Sequence, residues 1–228
     1  MRQATDEVWI VIAARNEATA IGGVVRELLG RFGHVVVVDD GSGDGTGREA
    51  RRNGAMVLRH VINRGQGAAL QTGIDYAVAS GARYIATFDA DGQHDPEDVA
   101  VMLRRLEEER ADIALGSRFL GRTVGMPGLR RWTLKAATAF QKLTTGMDLT
   151  DAHNGLRLFS RRAAQAIRIH QDRMAHASEI VAQIGRKRLR YVEVPCTIRY
   201  TEYSMRKGQK LSGSLRILLD LAMRRVRL

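Results

Sequence analysis

Short apolar runs, each closed by acidic, polar or glycine residues, limit this chain more than anything else in its sequence. Val8–Ala13, Val35–Val38, Tyr84–Phe88 and Ile113–Gly116 are apolar and too short for helices, and a weaker run lies near Met56–Arg59. Runs apolar on both faces read as strands of a parallel sheet. Helical patterns fill the gaps. Ile21, Val24, Val25, Leu28, Leu29 and Phe32 recur at helical spacing, a short helix starts at Thr46, and small residues dominate Gly67–Ser80. Asp95-Pro96-Glu97-Asp98 supplies an N-cap, a first-turn proline and acids at the positive end of the dipole, ahead of the stripe Val99, Met102, Leu103, Leu106. Strand and helix in alternation predict a doubly wound, mostly parallel α/β sheet flanked by helices.

After Gly116 the pattern turns irregular, with Gly121, Gly125, Pro127 and Gly128, and predicts a loop over a site. Beyond it the spacing predicts helices over about 131–144, 160–168 and 176–185, a strand at Leu189–Val194 and a basic helix from Leu211. A chain of 228 residues fits one domain, taken as 1–210, with 211–228 as an amphipathic appendage. In that tail Leu211, Leu215, Leu218, Leu219, Ala222 and Val226 share one face, opposite Arg216, Asp220, Arg224 and Arg227.

The net charge of +11 is lopsided: residues 186–228 carry +9 and residues 1–185 only +2. Such a tail suits an anionic partner, either phosphate groups or a membrane surface. A single cysteine, Cys196, excludes an internal disulfide. No apolar stretch approaches the roughly 20 residues of a spanning helix, and residues 1–7 lack a secretory apolar segment. The expectation is a cytoplasmic protein, peripheral on the inner face of the membrane.

In α/β sheets ligands bind at the carboxyl ends of strands, and the polar motifs fall there. Asp89-Ala90-Asp91 sets two carboxylates at the end of a buried strand, where they repel unless a cation lies between them. Mg²⁺ or Mn²⁺ takes oxygen ligands and completes its shell with water and substrate phosphate, and Gln93 offers a further carbonyl oxygen. Asp39-Asp40-Gly41-Ser42-Gly43-Asp44-Gly45-Thr46 resembles a dinucleotide loop only in its glycines: it follows the second strand, and its carboxylates would repel a pyrophosphate. They suit the ribose hydroxyls or base edge of a nucleotide.

The succession Asn16-Glu17, Asp39 to Thr46, Asn63-x-Gly65-x-Gly67, Asp89-Ala90-Asp91-Gly92-Gln93-His94 and Gly116-Ser117-Arg118 resembles the family 2 glycosyltransferases. Asp151-Ala-His-Asn-Gly155-Leu-Arg157 and Glu193-Val-Pro195 are similar to the dolichyl-phosphate mannose synthase-like branch. The resemblance implies a GT-A fold with a mixed, mostly parallel sheet, a nucleotide diphosphate sugar donor, a divalent metal (Mg²⁺ or Mn²⁺) and inversion at the anomeric carbon. It implies nucleotide-sugar contacts at Ala13, Arg15, Glu17, Asp39, Asp40, Asp89, Ala90 and Asp91, metal contacts at Asp89, Asp91 and Gln93, and phosphate contacts at Arg118 and Lys207. Asp151 is the implied general base, with Asp148 as the alternative, and His176 and Glu179 face the same region on a predicted helix. Where relatives carry Pro-Ala-Tyr-Asn-Glu, this chain has Ala13-Ala14-Arg15-Asn16-Glu17, so the base-stacking aromatic is an arginine and the donor does not carry over.

The acceptor implied is a polyprenyl phosphate, with a sugar hydroxyl as the alternative. A sugar nucleotidyltransferase would need a glycine-rich, arginine-containing loop after the first strand, and Ala13–Glu17 is not one. A nucleic-acid-binding protein would match the basic charge, but the near-neutral body puts carboxylates at the strand ends, so no nucleic acid partner is expected.

Overall fold

In a computed structural model of the chain, residues 5–124, 138, 142, 147–151, 154–173 and 175–199 are described. The helix expected over 131–144, Lys207 and the tail helix 211–228 therefore lie outside the described residues, apart from Thr138 and Lys142. The strands are β1 (Val8–Ala14), β2 (His34–Asp40), β3 (Met56–His60), β4 (Tyr84–Asp89), β5 (Ile113–Val124), β6 (Arg157–Ser160) and β7 (Tyr191–Arg199). The helices are α1 (Ala18–Leu29), α2 (Thr46–Arg52), α3 (Gln66–Ala79), α4 (Pro96–Glu108), α5 (Arg161–Ala166) and α6 (His176–Arg186).

The strands form one seven-stranded sheet in the order β3-β2-β1-β4-β6-β5-β7. Neighbours pair in parallel except around β6, which runs antiparallel to both β4 and β5. Alternation along each strand builds a core on both faces. Ile10, Ile12, Ala86 and Phe88 pack with Ile21 and Leu28 of α1 and Met102 and Leu106 of α4. Val11, Ile85 and Leu115 pack on the opposite face with Leu70 and Ile74 of α3, Ala163 of α5 and Ile180 of α6. The capping signal at the start of α4 holds: the Asp95 side chain accepts from the Glu97 amide, and Pro96 opens the helix.

Two features depart from the sequence reading. The stretch expected to loop after Gly116 continues as β5 to Val124, paired with β7 through an irregularity between Ser117 and Arg122. Gly121 makes this possible, because a Cβ there would lie 2.1 Å from the Cys196 carbonyl oxygen; Gly125, Pro127 and Gly128, the rest of the expected loop, lie outside the described residues. The second departure is β6, four residues that no periodicity could separate from the helix after it.

Candidate active site

The carboxyl ends of β1, β2 and β4, the middle of β5 and the start of β6 meet at one edge of the sheet. Because β6 runs against its neighbours, it begins at this edge and brings Asn154–Arg157 to the ends of β4 and β5.

On the β1–β2 side, Asn16 takes a left-handed conformation (φ 53°), which asparagine tolerates better than most residues. Its amide donates to Ser42 Oγ at 3.0 Å and its Oδ1 accepts from the Gly43 amide at 3.1 Å. The Glu17 amide donates to Thr46 Oγ1 at 2.8 Å, and the Ala18 amide to Asp44 Oδ2 at 3.1 Å. Ala13 is partly buried while Arg15 is exposed at the rim. Asp39 is buried and accepts from the Ser42 amide at 2.9 Å, with Arg59 Nε 3.8 Å away.

Asp40 has a different task. Its oxygens accept from the Arg64 amide at 2.8 Å, the Gly65 amide at 2.7 Å and His60 Nδ1 at 2.8 Å. Burial pushes its pKa up, but these hydrogen bonds outweigh burial and leave it below the ordinary value. These contacts tie the loop before α3 to the end of β2. A group with a depressed folded pKa contributes stability that is present above its unfolded pKa and lost as pH falls through the folded one. We expect Asp40→Asn to cost about 1–3 kcal/mol at pH 7, with the gap to wild type closing below about pH 4. Denaturant unfolding at both pH values checks this.

At the end of β4, Asp89 accepts from His94 Nε2 at 2.9 Å. Burial raises its pKa, but the His94 hydrogen bond and the charges of His94, His176 and Arg118 prevail, so Asp89 stays an anion. Its neighbour behaves oppositely: burial first and the Asp89 charge second push Asp91 up to about 6. Gln93 orients Asp91 through its amide, 3.1 Å from Asp91 Oδ1, while its carbonyl accepts from the Arg199 amide of β7. Ala90, between Asp89 and Asp91 in sequence, is buried in the core on the α1–α4 face. Gly155 closes the floor, since a Cβ there would stand 2.6 Å from Asp89 Oδ2.

These residues fit a divalent cation. Among the described residues no three His, Cys, Asp or Glu side chains form a complete ligand set. A crowded carboxylate pair, one member of which resists ionising beside the other, still suits an ion that takes one or two carboxylates and fills its shell from water and substrate oxygens.

Arg118, close enough for its charge to help lower the pKa of Asp89, has its side chain 9% exposed. Its Nε donates to Asp151 Oδ2 at 2.6 Å and its amide to the same oxygen at 3.1 Å. Asp151, at 1% exposure, is thus closed off from solvent, with one oxygen held by the guanidinium. The alternative base, Asp148, points outward (79% exposed) and pairs with Lys142 at 2.8 Å. Arg157 is buried between Asp89 and Asp151; burial pushes its pKa down to about 10, and the charges of both acids oppose the fall. Of the two residues on α6, Glu179 accepts from the His170 and Gln171 amides and holds that turn. His176 is buried, donates from Nδ1 to the Arg173 carbonyl at 2.9 Å and lies close enough to stabilise the Asp89 charge.

The sequence reading gave no role to His94, which holds Asp89, or to His60, which holds Asp40. Both follow a strand-end aspartate or close a strand beside one, and that adjacency was the signal available.

Residues 9–168 match the family model Glycosyl transferase family 2. The chain belongs to that family. The transferase is 30% identical over 246 residues to the UDP-N-acetylglucosamine–dolichyl-phosphate N-acetylglucosaminyltransferase of Methanococcus voltae, covering 95% of each chain. It is 31% identical over 192 residues to the polyprenol monophosphomannose synthase of Mycolicibacterium smegmatis, covering 79% of this chain and 71% of the relative. Its fold matches that of glucosyl-3-phosphoglycerate synthase from Mycobacterium tuberculosis in complex with Mn²⁺, uridine-diphosphate-glucose and phosphoglyceric acid. That match has a TM-score of 0.70 at 18% identity and covers 98% of this chain and 81% of the neighbour. The transferase is therefore a GT-A glycosyltransferase related to enzymes that load sugars onto prenyl phosphates. Among the described residues no helix is long and apolar enough to cross a membrane.

Proposed function

We propose that this transferase moves a sugar from a nucleotide diphosphate donor to a polyprenyl phosphate, with inversion and with help from Mg²⁺ or Mn²⁺. The observation that carries the reading is the Arg118–Asp151 pair. It places a guanidinium beside the Asp89–Asp91 edge and commits the carboxylate that an alcohol acceptor would need as its base. Asp148 faces outward against Lys142. A phosphate monoester is largely ionised near neutral pH and can attack the anomeric carbon without giving up a proton to the protein. General-base help, worth roughly 10²–10⁴-fold for an alcohol, is then not required.

In this reading Asp91 and Asp89 hold the cation, with Gln93 orienting Asp91, and the cation offsets charge on the departing diphosphate. Glu17, Asp39 and the backbone around Ala13 and Arg15 bound the nucleoside pocket. Arg118 holds phosphate oxygens, and its planar fork suits two of them at once. Lys207 is proposed as a further phosphate contact. Asp151 acts by holding Arg118. The +9 charge of residues 186–228 supports contact with an anionic membrane surface, where such an acceptor resides.

The test is transfer from a panel of UDP- and GDP-sugars to a short polyprenyl phosphate, with the matching polyprenol as control. Product on the phosphate alone is expected. Transfer to soluble sugar hydroxyls and never to the phosphate would overturn the acceptor assignment and leave the glycosyltransferase standing.

A further inference from the structure

Glu193 lies on β7, partly buried, and its hydrogen-bond partners are Thr150 and Asp151, not the Asp89–Asp91 edge. Its carboxylate is nevertheless fully engaged. The Thr150 amide donates to both oxygens, at 2.9 and 3.0 Å, and Thr150 Oγ1 donates to Oε1 at 2.9 Å. The Asp151 amide adds a longer contact to Oε1 at 3.3 Å. Every partner is a neutral donor on the two residues that end at Asp151. That concentration is more than a β-strand needs to stay in its sheet.

The network has a direction. Because Thr150 Oγ1 gives its proton to Glu193, the 2.6 Å contact between Ser117 and Thr150 must use the Ser117 proton. Ser117 Oγ in turn accepts from the Phe119 and Leu120 amides, each at 3.3 Å. Glu193 thereby reaches the residues on both sides of Arg118 through Ser117, and its side chain through Asp151. An acceptor-only carboxylate fixes the orientation of every hydroxyl in the chain.

We propose that Glu193 is a positioning residue for sugar transfer: through Thr150, Ser117 and Asp151 it sets the place and angle of the Arg118 guanidinium. The proposal rests on the reading that Arg118 meets a substrate phosphate. A guanidinium displaced by a fraction of an ångström still carries its charge, so donor binding survives while alignment in the transition state suffers.

The experiment compares Glu193→Gln, Thr150→Val and Arg118→Lys in the full chain, the lysine keeping a cation against Asp151. Glu193→Gln presents an amide N–H2 to one of the Thr150 donors. It should lower kcat about 10–100-fold, leave donor KM within about twofold and keep the thermal midpoint close to wild type. Thr150→Val should give a smaller loss of the same kind. Combined with Arg118→Lys, Glu193→Gln should add less than about twofold, because both changes spoil one group. If the two losses multiply while each variant is folded, Glu193 does not act through Arg118 and the proposal falls. If Arg118→Lys alone keeps full turnover, the role given to Arg118 falls and the relay with it. Those outcomes are distinct.

Discussion

Asp91→Ala is expected to lower transfer by at least about 10³-fold, with metal-dependent donor binding lost and the fold intact. The size follows from the several kcal/mol of transition-state stabilisation that a bound cation supplies at a departing diphosphate. The survival of the fold follows from the geometry. Asp91 is pushed up to about 6 by burial and by Asp89 beside it, so without a cation its charge opposes the folded state at neutral pH. The sign is specific: a carboxyl whose folded pKa is raised makes the protein less stable as pH rises through that range. The metal-free variant should therefore unfold no earlier than metal-free wild type at pH 7.5. Turnover with Mn²⁺ and with excess chelator, read beside thermal unfolding of both proteins, checks the two halves together. Normal turnover by the variant would remove the metal from the mechanism.

The second large effect separates stability from chemistry at the Arg118–Asp151 pair. Arg118→Ala removes the guanidinium from a carboxylate that is 1% exposed and leaves, of that residue, only the backbone amide against it, and breaking a buried pair from one side typically costs about 3–5 kcal/mol. The variant should be both inactive and easily unfolded. Adding Asp151→Asn replaces the buried charge by a neutral amide and should recover much of the stability while recovering none of the turnover. Chemical denaturation and initial rates on the two variants decide it. If the double variant transfers sugar, Arg118 serves only the fold. The same geometry alters what Asp151→Asn can reveal alone: the guanidinium is disturbed whichever acceptor is used, so a fall in rate does not mark Asp151 as a base.

Much of this architecture was readable from sequence because local signals agreed with each other. The runs at Val8–Ala13, Val35–Val38 and Tyr84–Phe88 became β1, β2 and β4, and the capping residues before α4 did what their order implies. The strand-end acids were legible for the same reason: a carboxylate after an apolar run has little to do for the core. What escaped was fixed by contacts distant in sequence. β6 is four residues long and exists because β4 and β5 both offer it edges. The second half of β5 depends on Gly121 lying against the Cys196 backbone, which no spacing rule detects. Asp40 and Asp39 look alike in sequence, yet one faces the loop before α3 and the other the turn at Ser42. The resemblance offered Asp151 as a base, and only the packed structure places Arg118 Nε against it at 2.6 Å.

Cys196, the chain's single cysteine, is 1% exposed behind Gly121, and its Sγ accepts from Asn154 Nδ2. Burial pushes the thiol up to about 12, against the smaller pull of that hydrogen bond. Almost no thiolate exists near neutral pH, and the thiolate is the species that alkylating and disulfide reagents attack. The native chain is thus chemically silent towards such reagents while folded. A cysteine introduced at Ile62, which is 70% exposed on the loop that Asp40 anchors, becomes the one thiol a fluorophore or spin label can find. The polypeptide can therefore carry a single reporter beside Gly41, at the end of β2, with its own sulfur left in place.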